Sequence, residues 1–145
     1  MTIATRTQIN VQVDGQNKSC SYTYHPQHRD KTPTKSQWTI TYDEESRSFC
    51  LSLENQWNDD KNGWGVHLIN ETISYLGISQ NGMQNLLIAK YVCDNVHNDW
   101  HGYPANHIEY SRDIPPEKFL LDWKSKNYIT SAKMRKILKG QPCNL

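Results

Sequence analysis

The stretch Thr7–Tyr24, which reads TQINVQVDGQNKSCSYTY, alternates apolar and polar residues in both of its halves. The apolar positions are every second residue of Ile9–Val13 and every second residue of Cys20–Tyr24. Successive side chains of a strand point to opposite faces, so each run presents one apolar face. Asp14-Gly15 lies between the runs and is typical of a tight turn. The stretch therefore predicts two antiparallel strands that face a common core.

The same period of two continues in three later segments, Trp38–Tyr42, Phe49–Leu53 and Trp64–Leu68. The segments Gln37–Tyr42 and Ser48–Leu53 are joined by turn-type residues and predict a hairpin around Asp43–Ser46. Together, these alternating runs predict an antiparallel β-meander of about five to six strands in the N-terminal part of the chain.

The reverse face of the predicted strands is polar but almost uncharged. Its residues are Gln8, Asn10, Gln12, Ser19, Ser21, Thr23, Gln37, Thr39, Thr41, Ser48 and Ser52. Two interpretations remain open. Either the face contacts a polar partner, or uncharged residues that suit strands are simply tolerated there.

The period changes after the predicted meander. The apolar residues of Leu68–Leu76 have helical spacing, so this segment predicts a short helix that Gly77 ends. Leu86–Cys93 is apolar and predicts a largely buried strand. Residues 95–114 predict a long loop, and long loops of compact domains are commonly functional or mobile.

The last third of the chain predicts two helices. Asp113 is a candidate cap, and Pro115-Pro116 suits a first helical turn, where a missing N–H is tolerated. Thr130 or Ser131 caps the second helix, and Gly140 ends it. The inward-facing residues are Phe119, Leu120 and Trp123 on the first helix and Met134, Ile137 and Leu138 on the second.

These elements predict an α+β fold, in which the N-terminal antiparallel β-meander packs with a C-terminal helical pair. A chain of 145 residues is long enough to form its own core, so we expect a single domain over residues 1–145. Residues 1–94 are the mainly β framework, 95–114 the loop, and 115–142 a basic pair of helices that resembles a helix-turn-helix.

Composition excludes several classes of protein. No apolar run approaches the ~18 residues of a membrane-spanning helix, and the first residues do not resemble a signal peptide. Cys20, Cys50, Cys93 and Cys143 are scattered, as in a cytoplasmic protein with reduced thiols. The 16 basic and 15 acidic side chains give no overall attraction to polyanions. We therefore expect a cytoplasmic protein without a membrane segment or a cofactor.

Charge is nevertheless segregated along the chain. Against two acidic residues, the seven basic residues after Pro115 are Lys118, Lys124, Lys126, Lys133, Arg135, Lys136 and Lys139. The net charge of this part is +5, so residues 1–114 carry −4 of the total of +1. Such asymmetry favours a basic face for an anionic partner. A solvated helix face explains the same residues, because Lys is an ordinary surface helix former.

The segment Asn98–Pro104 concentrates unusual chemistry within the predicted loop. It allows three interpretations. In the structural one, Trp100 and Tyr103 bury their rings, and His101 bonds to the backbone. In the recognition one, the two aromatic residues are stacking platforms or interface anchors. In the catalytic one, His101 is a general base or acid, because imidazole titrates near neutral pH.

The catalytic interpretation predicts metal-independent cleavage of RNA. His107 or His97 would be the second proton-transfer group beside His101. The candidates for stabilising a pentacovalent phosphate are Arg112, Lys90 and Tyr103.

A zinc site is a further interpretation of this region. Cys93, His97 and His101 are spaced by four residues, which would align them on a helix. Turn-forming residues interrupt the segment, so we expect no helix and no metal there. His25 and His28 form a similarly loose pair.

The leading hypothesis is a small recognition protein without catalysis, whose partner is nucleic acid or an acidic protein surface. Its predicted contact residues are Trp100, Tyr103, Lys124, Lys126, Lys133, Arg135, Lys136 and Lys139. A first alternative is a metal-independent ribonuclease of toxin type that uses His101, His107, Arg112 and Tyr103. A second is an inhibitor or immunity-type protein that binds one partner protein through its polar sheet face or its acidic N-terminal two-thirds.

Overall fold

The computed structural model describes residues 4–94 and 98–145. Within these ranges the chain forms an α+β fold with a curled six-stranded sheet and three α-helices. The predicted fold class is confirmed, with strands mostly in the N-terminal part and a helical pair at the C-terminal end.

The strands of the main sheet are β1 (Thr5–Val13), β2 (Gln16–Tyr24), β4 (Asn62–Ile69), β5 (Thr72–Ser74), β8 (Ile88–Asp94) and β9 (Asp99–Ala105). They lie in the order β1-β2-β9-β8-β4-β5. A smaller sheet is formed by β3 (Gln37–Trp38), β6 (Gly77–Ile78) and β7 (Asn85–Leu86). The pair β2–β9 is parallel and all other neighbours are antiparallel. The main sheet is therefore mixed.

The predicted hairpin over Thr7–Tyr24 is confirmed. Asp14 and Gly15 have φ angles of 52° and 76°, as the two central residues of a type I′ turn require. The core face of this hairpin includes Val11 and Tyr22, which expose 2 % and 0 % of their surface.

The second predicted hairpin, Gln37–Tyr42 with Ser48–Leu53, is wrong. Only Gln37–Trp38 form a strand, and Tyr42–Glu54 form the helix α1. Thr41 and Glu44 form a capping box, in which each side chain accepts a hydrogen bond from the other residue's backbone N–H. Acidic residues in the first turn add a favourable interaction with the helix dipole. Local capping thus outweighs the alternation of apolar residues.

The helix predicted over Leu68–Leu76 is also wrong. The chain turns at Asn70 and Glu71, whose φ angles are 52° and 61°, and joins β4 to β5. Both positions require a left-handed conformation, which Glu rarely adopts, so the turn is hard to recognise from the sequence. The buried strand predicted over Leu86–Cys93 is confirmed as β7 and β8.

The long loop predicted for residues 95–114 is interrupted by β9, which contains the segment from Trp100 to Pro104. Its pairing with β8 extends from Asp99, opposite Asp94, to Ala105, opposite Ile88. Pro104 is tolerated because the other neighbour, β2, pairs only with Asp99 and Trp100. Residues 95–97, which include His97, lie outside the described ranges.

The two predicted C-terminal helices are confirmed as α2 (Glu117–Ser125) and α3 (Ser131–Leu138). Thr130 caps α3 by accepting a hydrogen bond from the Lys133 N–H. Asp113 does not cap α2, because it lies in a buried 3-10 turn, Ser111–Asp113, and the N-cap position is Pro116.

The core consists of two clusters, one containing the inner side of α1 and the other the inner sides of α2 and α3. Phe49 of α1 packs with Tyr22, Tyr91 and Trp100, and this cluster also contains Val11. The second cluster unites α2 and α3 with apolar residues of β4 and β8, among them Phe119, Leu120, Trp123 and Ile137. No helix in the described ranges has the length and apolar character needed to cross a membrane.

Candidate functional site

A cleft of about 240 Å³ opens between the segment 25–36, the end of β9 and the segment that follows it. Its lining includes ionisable side chains that could bind a ligand or transfer a proton, namely His28, Lys35, His101, Tyr103 and Arg112. The remaining lining residues are Gln27, Thr34, Ser36, Gln80, Pro104, Asn106, Tyr110 and Asp113.

The alternation of β9 places two of these side chains in the cleft. His101 and Tyr103 are two residues apart and half-buried, whereas Trp100, Gly102 and Pro104 are buried. A Cβ atom at Gly102 would lie 2.4 Å from the ring of Tyr91, so only glycine fits there. One strand therefore carries both core residues and candidate site residues.

The 3-10 turn Pro26–His28 brings two imidazoles to these rings. His25 stacks on His101 with ring centroids 4.3 Å apart, and His28 stacks on Tyr103 at 5.5 Å. The His28 ring is also fixed by a 2.8 Å hydrogen bond between its Nδ1 and the Ser36 carbonyl oxygen. The two stacked pairs join chain segments that are far apart in sequence.

Burial lowers the pKa of all three imidazoles. For His28 the pKa falls to about 4, and desolvation is the main cause. The pKa values of His25 and His101 are lowered for the same reason, and nearby Asp99 partly opposes the effect. These rings are therefore neutral near pH 7, and each has one N–H donor and one acceptor nitrogen. His28 donates its N–H to Ser36, so its Nε2 remains as an acceptor.

A buried carboxylate lies behind the cleft. Asp113 accepts hydrogen bonds of 2.9 Å from the Tyr103 hydroxyl and from the Asn106 backbone N–H. The Lys90 ammonium is 3.7 Å from it and donates to the Arg112 carbonyl oxygen at 2.7 Å. Burial lowers the pKa of Lys90, and Asp113 opposes this effect. Burial and the Asp113 charge raise the pKa of Tyr103.

Two cationic side chains at the cleft, Lys35 and Arg112, are not neutralised by a carboxylate within the described residues. The Arg112 guanidinium lies 4.7 Å from the centre of the Tyr110 ring. Within residues 4–94 and 98–145, neither Arg112 nor Lys35 forms an ion pair with a carboxylate. Asp113 is the only carboxylate among the lining residues, and Lys90 balances its charge. The cleft is therefore electropositive and suited to an anion.

The polar sheet face predicted from the sequence exists on β1 and β2 and adjoins this region. Gln8, Asn10, Gln12 and Ser19 are exposed there. Nearer to β9, Asp99 accepts hydrogen bonds from Ser21 at 2.7 Å and Thr23 at 2.6 Å, and Arg6 is 3.7 Å away. Five predicted members do not belong to this face, because they lie in β3 of the smaller sheet, in α1 or just before α1; they are Gln37, Thr39, Thr41, Ser48 and Ser52.

Some of the predicted loop residues are buried in the core, and others line the cleft. Trp100 exposes only 6 % of its surface and packs against Phe49, so its use as a stacking platform is wrong. His107 exposes 4 %, and its Nε2 bonds to the Gln141 carbonyl oxygen at 2.8 Å. His107 does not line the cleft with His101. Tyr103, His101 and Arg112 are brought together as the catalytic hypothesis requires.

The basic residues of the last two helices are mainly solvated. Arg135 and Lys136 of α3 are exposed, as is Lys139 at its C-cap, and Lys133 is half-buried. On α2, Lys124 is exposed, and the neighbouring Lys126 forms a 2.8 Å ion pair with Asp122. The exposed cations at α3 thus form one basic surface, whereas the charge of Lys126 is partly neutralised.

Sequence reasoning missed the contribution of the segment 25–36. His25 and His28 were visible only as a loose histidine pair, and Lys35 had no distinguishing context. The helix that a zinc site over Cys93 and His101 would need is absent, because these residues belong to β8 and β9. In the part of the chain that the structure describes, no group of three or more His, Cys, Asp or Glu side chains could hold a metal ion.

No protein-family model, curated protein or solved structure shows a significant match to this chain.

Proposed function

We propose that this protein recognises a phosphate-bearing polyanion, and that the cleft around His101 binds one of its phosphate groups. The observation that carries the proposal is the convergence of Lys35 and Arg112 with neutral imidazoles and Tyr103 in one cleft. The predicted recognition function is thereby retained, but its centre moves from an aromatic loop to this cleft.

Phosphate suits the cleft for chemical reasons. A guanidinium binds two phosphate oxygens in a bidentate manner, and an ammonium adds a compact charge. The neutral imidazole of His101 can donate a hydrogen bond to the same oxygens without the cost of a buried charge. The half-buried rings of His101, Tyr103 and Tyr110 favour nucleic acid over an acidic protein surface, because bases stack on such rings.

The exposed basic side chains of α3 would add a second, weaker contact. Arg135, Lys136 and Lys139 share one solvated side, where they can approach further phosphates without a defined geometry. In this proposal they raise the affinity for long ligands, whereas the cleft binds one phosphate group in a defined position. A cytoplasmic location remains part of the proposal.

The test is binding of a fluorescent single-stranded RNA of twelve nucleotides over a series of salt concentrations. Replacing Lys35 and Arg112 together by Ala removes two phosphate contacts. We expect a loss of affinity of about tenfold or more, and a salt slope smaller by about 1.4.

The matched control replaces two exposed basic residues away from the cleft, Lys18→Ala with Arg47→Ala. Its net charge is the same as that of the cleft variant, so a purely global effect of charge would weaken both equally. Equal affinities of the two variants, or no RNA binding by the parent at low salt, would contradict the proposal.

A metal-independent ribonuclease is the second candidate, because two imidazoles and a guanidinium meet in the cleft. His101 would take the proton of a 2′-hydroxyl, whose oxygen attacks phosphorus while the bond to the 5′-oxygen breaks. The leaving oxygen then needs a proton from an acid. His28 replaces the buried His107 in this role, but its lowered pKa leaves it unprotonated at neutral pH. The lowered pKa of His28 therefore favours binding over cleavage.

Incubation of the protein with RNA in the presence of EDTA distinguishes the two candidates. A ribonuclease would leave fragments with 2′,3′-cyclic phosphate ends, and His101→Ala would abolish them. Intact RNA, or cleavage that His101→Ala leaves unchanged, would remove the ribonuclease candidate.

A further inference from the structure

The strand β1 forms a free edge of the main sheet. It contains nine residues, and all nine are paired with β2 on its inner side. Across the described ranges, no strand pairs with its outer side. The edge therefore presents a row of backbone donors and acceptors that a further strand can bind.

The hairpin turn determines which residues offer these groups. Val13 and Gln16 flank the two-residue turn and exchange both hydrogen bonds, as is usual for such hairpins. Alternate residues back to Thr5 point their backbone groups toward β2 in the same way. The outward backbone N–H and C=O groups therefore belong to Arg6, Gln8, Asn10 and Gln12.

This edge lacks the usual protection against strand pairing. Its sequence, TRTQINVQV, contains neither Pro nor Gly and a single charged residue, Arg6. That residue is at one end and lies 3.7 Å from Asp99. No bulge interrupts the register with β2. Natural edge strands are more often short, bulged or marked by inward-pointing charges.

We propose that β1 pairs with β1 of a second copy of this chain, antiparallel and with Ile9 on the two-fold axis. In this register Gln8 faces Asn10 of the other copy, and Arg6 faces Gln12. These four residues are the ones whose backbone groups point outward, so the hydrogen bonds of both edges are satisfied. The register uses all nine residues of the strand.

The side chains are self-complementary in this register. On the side that faces α1, every residue of β1 is β-branched, and Ile9 meets Ile9, Thr7 meets Val11 and Thr5 meets Val13. Such pairs favour neighbouring strands. On the polar side, amide groups face one another, and Arg6 has no like charge opposite it. A second copy therefore fits this edge better than an unrelated strand of unspecified sequence.

The proposed dimer is independent of the function of the cleft. Its two-fold axis is perpendicular to the joined sheet, so the two polar faces are continuous. Dimerisation can be present in a protein that binds no RNA, and a monomeric protein can still bind RNA.

The first experiment measures mass against concentration by analytical ultracentrifugation of the full chain. We expect a reversible transition from the monomer to twice its mass. Gln8→Lys with Asn10→Lys places lysines directly opposite each other in both symmetric pairs and should weaken the dimer about tenfold. Gln8→Lys with Asn10→Glu carries the same number of new charges but creates two attractive pairs, so it should dimerise at least as well as the parent. A parent that stays monomeric, or equal weakening of the two variants, would overturn the proposal.

The second experiment tests the register without depending on charge. Non-hydrogen-bonded partners in antiparallel strands have Cα atoms about 4.5 Å apart, within the range of a disulfide. Both variants are made with Cys20→Ser, because the free thiol of Cys20 lies directly opposite residue 9 on β2. Ile9→Cys should then form a covalent dimer under mild oxidation by air or oxidised glutathione. Thr7→Cys should not, because residue 7 faces Val11 rather than itself. Cross-linking of both variants to the same extent, or of neither, would exclude this register.

Discussion

The two sides of β9 have opposite physical characters although their residues alternate along one strand. Trp100 and Gly102 are enclosed by the rings of Phe49, Tyr91 and Tyr22. His101 and Tyr103 face the cleft and stack on imidazoles of the segment 25–28. The packed side determines where the open side lies, so it acts as the support of the candidate site. Substitutions on the packed side should therefore cost stability, and those on the open side should mainly cost binding.

The largest effect is expected for Trp100→Ala. Loss of this buried indole should lower the free energy of unfolding by about 4 kcal/mol, because it removes apolar contacts and leaves a cavity. The neighbouring His101→Ala should change it by less than about 1 kcal/mol, since its ring is half-buried and lies at the edge of the core. Urea unfolding of both variants checks the difference, and similar losses would show that the two sides are not distinct.

A pH series tests the open side of β9 through His28, whose ring stacks on Tyr103. The pKa of His28 in the folded protein is about 4, compared with 6.5 as its usual value, because burial disfavours the charged ring. The unfolded chain binds this proton at higher pH than the folded protein does. The contribution of His28 to the free energy of unfolding is therefore fully present above about pH 6.5 and is lost as the pH falls toward 4. The loss should amount to about 3 kcal/mol.

Carboxylates and the other histidines also titrate in this window, so the contribution of His28 must be isolated. His28→Asn removes the titration and can keep the hydrogen bond to the Ser36 carbonyl oxygen. The gap in unfolding free energy between the parent and His28→Asn should shrink as the pH falls from 7 to 4. A gap that is constant over this range would mean that His28 is not buried in its neutral form.

A smaller loss of stability is expected for Gly102→Ala on the packed side. The added Cβ would lie 2.4 Å from a ring carbon of Tyr91 and 2.8 Å from the Tyr22 hydroxyl oxygen, and both rings are fully buried. Moving these rings should lower the free energy of unfolding by about 2 kcal/mol. Gly82→Ala is not a suitable control, because its φ of 73° adds strain. Gly63→Ala is better matched, since its nearest neighbour is 3.3 Å away, and should cost clearly less.

The sequence predicted the parts of this fold that depend on local patterns. The hairpin over Thr7–Tyr24 combines strict alternation with a turn dipeptide, and α3 has both a cap at Thr130 and a helical stripe. The helix α1 was mistaken for a strand because Phe49, Leu51 and Leu53 alternate, while Phe49 and Leu53 also fit one side of a helix. Its capping box at Thr41 and Glu44 was the local sign that distinguishes the two.

The cleft depends on contacts that a local pattern does not contain. It forms because β2 and β9 pair in parallel, with Ser21 beside Asp99, and this pairing carries His25 to His101. A parallel pair between segments so far apart in sequence leaves no turn to recognise. Gly102 and Pro104 also disfavour strands, which hid β9 within an apparent loop. Candidate residues on β9 could therefore be named in advance, but their partners from the segment 25–36 could not.

The smallest effect is expected for Tyr103→Phe, next to the buried carboxylate of Asp113. This substitution tests whether the Tyr103 hydroxyl only supports the fold or also contacts the ligand. Tyr103→Phe removes the hydroxyl that donates to Asp113 at 2.9 Å but keeps the ring that stacks on His28. Asp113 retains Lys90 and the Asn106 backbone N–H, so the free energy of unfolding should fall by only about 1 kcal/mol. Tyr110→Phe, which breaks a hydrogen bond with Gln80 at the same cleft, is the matched control. If the hydroxyl of Tyr103 serves only to hold the ring in place, RNA affinity should stay within about twofold for both variants. A larger loss of affinity for Tyr103→Phe alone would place that hydroxyl among the groups that contact the ligand.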